Sequence, residues 1–216
     1  MHFTVQNLLN IKENIKSKFD FYQRIKLIAV SKTYPIEIIK PLIDYGHIDF
    51  GENKVQEAIE KWSKIKNDNT QIKLHLIGKL QTNKVKYAVK IFDYIHSVDN
   101  EKLAKKISEE QIKNKKKIKI FIQVNIGDEI QKSGISKDKL NNFYAYCLKL
   151  QLDIQGLMCI PPEGEDSDRF FKDLKNINDN LGLKKLSMGM SSDYMSAIEN
   201  SATHIRIGSN IFGKRS

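Results

Sequence analysis

Leu27-Ile28-Ala29-Val30-Ser31-Lys32-Thr33 joins four apolar residues, without polar alternation, to a lysine. An apolar run of this length and branching suits a strand buried on both faces, which is how strands of parallel sheets read. Pro35 follows and opens a helical pattern, so Lys32 belongs at a strand-to-loop corner, where α/β folds place their ligands. Lysine is common throughout the chain, and Lys32 gains meaning only together with the last thirty residues.

Outward from this stretch, strand-like and helix-like segments alternate. An opening segment with Val5, Leu8, Leu9, Ile11 and Ile15 has helical spacing and stands as an extra N-terminal helix. The first strand, 26–31, leads to a helix from Pro35 that stops at Gly46 and carries Pro41, a residue that kinks helices. Strand 48–51 precedes a helix with Val55, Ala58, Ile59, Trp62 and Ile65 on one face. Strand 73–78 precedes Thr82 as N-cap and a stripe through Val85, Ala88, Val89 and Phe92. Strand 94–98 leads to Asp99 as cap of the next helix, and strand 118–126 to a helix marked by Leu140, Phe143 and Cys147. Strand 154–160 ends in Pro161-Pro162 and is followed by a helix with Phe170, Phe171 and Leu174. Strand 185–190 leads to a short helix from Ser191 or Ser192 to about Asn200, and strand 204–207 runs into the last loop. Strand alternating with helix implies parallel pairing. Eight such units predict an α/β fold, a single (β/α)8 TIM-type barrel over residues 1–216.

Composition narrows the function. The N-terminal residues carry no basic-then-apolar signal, and no apolar run reaches the length of about 18 residues that a membrane helix needs. Cys147 and Cys159 read as reduced core residues, so the expectation is a cytoplasmic protein without a membrane partner. The net charge of +10 invites a nucleic-acid reading. The excess is mostly lysine, however, and its densest run, 113–117, has no aromatic residue for base stacking, so no nucleic-acid partner is expected.

In a barrel the eight strand ends meet on one face. There the chain offers Lys32, then Gly51-Glu52-Asn53, His75 with Gly78, and a polar loop with Lys132. Gly189-Met190-Ser191-Ser192-Asp193 opens a helix with amides and hydroxyls suited to an anion, and Arg206-Ile207-Gly208-Ser209 adds a second close-approach backbone. Loops after strands seven and eight form the usual barrel phosphate site. A lysine facing a phosphate cradle points to a phosphorylated aldehyde held as a Schiff base. Arg206 facing a ring nitrogen cannot accept its proton, which leaves that ring neutral and a poor electron sink. Each residue also has a plainer reading: the serines as helix caps, Arg206 as half of a buried ion pair, His75 as a hydrogen-bonded core residue, Asn53 as a helix start, and Lys132 as a surface lysine or a second amine.

The segments 29–33, 50–53 with Gln56-Glu57, 75–84, Lys132-Ser133-Gly134, Gly156-Leu157-Met158, 187–191 with Asp193, 206–208 and 211–213 together resemble the pyridoxal phosphate homeostasis protein family, the single-domain relative of the alanine racemase N-terminal barrel. The resemblance implies pyridoxal 5'-phosphate (PLP) bound as an aldimine on Lys32. It implies phosphate contacts from Ser191, Ser192, Gly208 and Ser209, Arg206 at the pyridine nitrogen, and Asn53 and His75 near the ring. Leu74 stands where the family more often has tryptophan, and Asn200-Ser201 where glycine is frequent. The implied function is non-catalytic: PLP homeostasis, with transfer to apo PLP-dependent enzymes, by a monomer or weak dimer. The alternative is a single-domain amino-acid racemase-like PLP enzyme, which would need a second acid/base of the kind that two-domain racemases take from another domain. A Schiff-base aldolase would favour a lysine on a later strand, and strand six ends without one.

Overall fold

The computed structural model describes residues 1–129, 131 and 133–213 of the chain. Its eight strands are β1 (Lys26–Val30), β2 (Asp49–Glu52), β3 (Lys73–Leu76), β4 (Tyr94–Val98), β5 (Lys119–Gln123), β6 (Asp153–Met158), β7 (Lys185–Ser187) and β8 (His204–Ile207). All neighbours pair in parallel, and β8 returns to β1 with Lys26 opposite His204 and Ile28 opposite Arg206. The sheet is therefore a closed (β/α)8 barrel, which leaves no unpaired strand edge.

Between the strands run α2 (Ile36–Asp44), α3 (Val55–Asp68), α4 (Val85–Ile91), α5 (Glu101–Asn114), α6 (Lys137–Lys149), α7 (Ser167–Asn180) and α8 (Tyr194–Glu199). Ahead of them α1 (Phe3–Lys16) buries Val5, Leu8, Ile11 and Ile15 and packs against α2 and the closing turn α9 (Ser209–Phe212). Asn7 fastens α1 there by donating to the Ile211 carbonyl at 3.0 Å.

The strand starts follow the apolar pattern to within one residue, whereas β1, β3, β5, β6 and β7 end before it does, two of them for evident local reasons. β5 stops at Gln123 because Val124 makes its last ladder bond to Met158 and then bridges Ile135 instead. β7 stops at Ser187 because Gly189 turns the chain with φ +89, and a side chain there would strike Ala197. Three helix starts also differ from the pattern. Asn100 caps α5 by accepting from the Leu103 amide, while Asp99 accepts from Gly134 across the neighbouring loop. Thr82 opens a single 3-10 turn rather than capping α4. Ser191 and Ser192 lie in a turn, and α8 begins only at Tyr194 because the Asp193 side chain folds back onto the Met190 amide. α2 starts at Ile36, with Pro35 as its extended cap residue, and continues through Pro41.

Two apolar groups hold the fold. The larger lies between sheet and helices and takes Leu27, Ala29, Phe50, Leu74, Leu76, Ile120 and Ile205 from the strands. The smaller, Tyr94, Phe121 and Met158, is the apolar part of the barrel interior. Barrel interiors are usually filled by branched apolar residues. Here Asp49, His75, His96, Ser187, His204 and Arg206 are buried as well, and they contact one another and the smaller group.

Candidate functional site

A cavity of about 560 Å³ opens at the C-terminal mouth of the barrel, within the usual size of a small-ligand site. Lys32, Asn53, Ser191, Ser192, Arg206, Gly208 and Ser209 all line it, so residues spread over 178 positions of the chain meet in one place. Val30, Tyr34, Ile77, Ile160, Met190 and Gly213 complete the walls; of these only Tyr34, one residue past 29–33, lies outside the segments that the sequence pattern singles out. Among the described residues no carboxylate lines the cavity, whereas a lysine and an arginine do. Such a wall favours an anion.

Lys32 is carried on a backbone held from both sides. The Ser31 amide donates to the Gly51 carbonyl at 2.9 Å, and its hydroxyl donates to Glu52 Oε1 at 2.7 Å. Lys61 Nζ donates to the Ser31 carbonyl at 2.9 Å, to Glu52 Oε1 at 3.0 Å and to Glu57 Oε1 at 3.0 Å. Glu57 accepts from the Thr33 amide at 2.5 Å, holding that residue in the left-handed region at φ +67. Burial pushes the Glu57 carboxyl up, but the Thr33 amide and Lys61 outweigh it and hold it below its ordinary value. Glu52, fully buried, also accepts from the Trp62 indole at 2.9 Å. A β-branched residue is strained at positive φ, so this network fixes the corner that aims Lys32.

Across the cavity, the two loops that follow β7 and β8 are tied together. The Gly208 amide donates to Ser191 Oγ at 3.3 Å, and Asn210 donates to the Ser191 carbonyl at 2.9 Å. α8 and α9 span six and four residues, too short for much of a helix dipole, so hydroxyls and local amides are the anion-binding groups here. Tyr34 closes the rim by donating to the Gly213 carbonyl at 2.7 Å and stacking on Phe212 at 4.8 Å.

Arg206 enters from the barrel interior, 4% exposed, donating Nη1 to Ser187 Oγ at 2.7 Å and Nη2 to the Cys159 carbonyl at 2.9 Å. Burial lowers its pKa, partly countered by Cys159 and Asp193. His75 does not line the cavity. It sits deeper in the barrel, fully buried, with both ring nitrogens engaged by Asp49 and His96, and this departs from the cofactor contact expected of it. Lys132 lies outside the described residues. Cys147 and Cys159 are buried and their thiols are pushed up to about 12 by desolvation, so neither is a ready nucleophile. Among the described residues, no helix is long and apolar enough to cross a membrane.

With this geometry in place, comparison with known proteins gives three consistent results. Residues 6–216 match the family described as alanine racemase, N-terminal domain. The pyridoxal phosphate homeostasis protein of Aquifex aeolicus is 40% identical, over 88% of this chain and 87% of that protein, and that of Pasteurella multocida is 36% identical over 97% of each. The structure of PipY from Synechococcus elongatus with PLP bound superimposes with a TM-score of 0.87 and 33% identity, over 97% of this chain and 100% of that one.

Proposed function

The chain belongs to the pyridoxal phosphate homeostasis proteins, within the alanine racemase N-terminal domain family, and from that premise we propose that its C-terminal mouth binds PLP, keeps it in reserve and passes it to apo PLP-dependent enzymes. One observation carries the reading: among the described residues, the cavity brings an amine, a buried guanidinium and three serine hydroxyls together without a carboxylate. That donor set fits an anionic phosphate, an aldehyde and a pyridine ring in a single ligand.

Lys32 is the attachment residue, its backbone held at a fixed corner through Ser31 and Thr33. When bound, the cofactor would supply an electrophilic aldehyde carbon, which the Lys32 amine could hold reversibly with loss of water and yield to an incoming amine. Ser191, Ser192, Ser209 and the Gly208 backbone, which line one side of the cavity, would hold the phosphate, and Asn53 would flank the ring. Arg206 would face the ring nitrogen as a donor, with no lone pair to take a proton from it. A ring kept neutral withdraws few electrons, which favours storage over turnover. Tyr34, the one phenol in the wall, directs its hydrogen to the Gly213 carbonyl and not into the cavity, which disfavours the racemase alternative. We further read residues 1–216 as one cofactor-binding domain, a cytoplasmic monomer or weak dimer with reduced cysteines.

The decisive experiment is the visible spectrum of the purified protein given PLP, before and after borohydride, with peptide mass mapping. A band that bleaches, a phosphopyridoxyl mass on the peptide containing Lys32, and loss of both in Lys32→Ala are expected. A colourless protein that gains no mass would overturn the proposal.

A further inference from the structure

Below the cavity a row of hydrogen bonds runs down the barrel axis. Arg206 Nη1 meets Ser187 Oγ at 2.7 Å, Ser187 Oγ meets His96 Nδ1 at 2.8 Å, His96 Nε2 meets His75 Nδ1 at 3.0 Å, and His75 Nε2 meets Asp49 Oδ1 at 2.9 Å. The row begins on β8, crosses β7, β4 and β3, and ends on β2. Asp49 is bridged by Lys26 at 3.2 Å and lines a second cavity, of about 440 Å³, at the opposite mouth.

With both imidazoles neutral, the two ends fix the direction of every hydrogen between them. A guanidinium only donates, and an ionised carboxylate only accepts. Ser187 Oγ accepts from Arg206, which leaves its own hydrogen for His96 Nδ1. His96 then carries its hydrogen on Nε2 and gives it to His75 Nδ1, and His75 carries its hydrogen on Nε2 and gives it to Asp49. Both imidazoles are neutral in this arrangement, and no donor faces another donor. Protonating His75 would reverse the chain: His96 would turn its hydrogen toward Ser187, which would then face two donors and keep a hydrogen with no acceptor in the row. The surroundings oppose that reversal. His75 stacks on Tyr94 at 4.2 Å and His96 on Phe121 at 4.5 Å, so neither ring can turn without displacing an aromatic neighbour. Burial drives both pKa values down. Around His75 stand Asp49, Asp93, Lys26 and His204, and around His96 stand His75, His204 and Arg206.

We propose that Ser187, His96, His75 and Asp49 form a one-way hydrogen-bonded chain that orients Arg206 toward the cofactor ring, so that a carboxylate at one mouth of the barrel sets the guanidinium at the other. These four are positioning residues, since they act on the ring only through Arg206. The inference rests on the PLP reading of the cavity, and its test separates the two.

The first arm needs no cofactor: nitrogen-15 NMR of the histidine-labelled full chain between pH 5.5 and 8. Neutral Nε2–H tautomers for His75 and His96, unchanged across the range, are expected. A hydrogen on Nδ1 of either ring, or a titrating His75, would overturn the chain. The second arm uses the PLP-loaded protein with Ser187→Ala and Asp49→Asn, neither of which lines the cavity. Each is expected to shift the visible band and to release the cofactor about tenfold faster, the equivalent of one lost charged hydrogen bond. Ser187→Thr, which keeps the hydroxyl, is expected to restore the band. Variants that retain the parental spectrum and release rate would overturn the positioning role. If the parent protein takes up no PLP, the reading of the cavity fails, while the tautomers still decide the chain.

Discussion

Lys61 is the cation on which the Lys32 corner depends. Its amine joins the Ser31 carbonyl, Glu52 and Glu57, and through them both neighbours of Lys32. Removing one partner of a buried ion pair leaves an uncompensated charge, which costs more than the pair itself contributes. Lys61→Met is therefore expected to destabilise the fold by about 3 kcal/mol in urea unfolding. It should also release the Thr33 amide and lower the yield of the Lys32 adduct. The double variant Lys61→Met with Glu52→Leu removes both charges and is expected to regain part of the lost stability without regaining the adduct. Equal stability of the single and double variants would show that Glu52 is not held by Lys61. This corner was partly legible in the sequence: Lys32 at the end of an apolar run, and Glu52 at the end of the next strand, both marked the mouth. The role of Lys61 was not, because a lysine one helical turn past Glu57 reads as a solvated surface pair until the barrel closes over it.

At the scale of elements, β6 and β7 meet at Gly156. A Cβ there would fall on the Lys185 carbonyl oxygen, a backbone atom that cannot move without loosening the ladder between the two strands. Gly156→Ala is expected to cost about 3 kcal/mol or more, read as a lower urea midpoint, with the damage centred on β7 and its neighbour β8. A variant of unchanged stability would mean that the strands have room to part. β7 carries Ser187 and leads to Ser191, so the cavity should lose phosphate affinity in the same variant. The order and type of these elements followed from alternating apolar runs and amphipathic stripes, because burial on two faces leaves a continuous apolar run that composition bias does not erase. Their ends did not, since a strand stops where its neighbour's carbonyls stop. β5 ends with Met158 on the adjacent strand, a fact that no local pattern contains. Caps were equally local in cause and equally ambiguous: Asp99 and Asn100 both suit an N-cap, and the choice fell to Asn100 because the Gly134 amide draws Asp99 away.

For the whole molecule, the unusual feature is a polar barrel interior, and it is the part least visible in the sequence. Asp49, His75, His96, Ser187 and Arg206 stand on five separate strands, each a plausible lone core polar residue, and closure of the sheet alone places them on one axis. The same burial makes the fold acid-labile in a definable window. His47, His75, His96 and His204 are all buried, and burial is the largest cause holding each below its ordinary value of 6.5, His47 down to about 4. The unfolded chain binds those protons near pH 6.5 and the folded chain does not. Unfolding therefore takes up protons as the pH falls through that point, and stability declines by at most about 1.4 kcal/mol per pH unit for each such histidine until its folded pKa is reached. Asp49 and Glu57 act in the same direction but lower: their folded pKa values are depressed, so their contribution is intact above about pH 4 and is lost only beneath it. Between pH 7 and 5 the histidines act alone, on a chain whose net charge of +10 makes further protonation of the compact state still less favourable. Urea midpoints should fall steadily over that interval, and His47→Gln should reduce the slope by about one histidine's share. A midpoint that stays level from pH 7 to 5 would mean that the interior imidazoles take up protons while folded, and the neutral chain from Asp49 to Arg206 could not then exist.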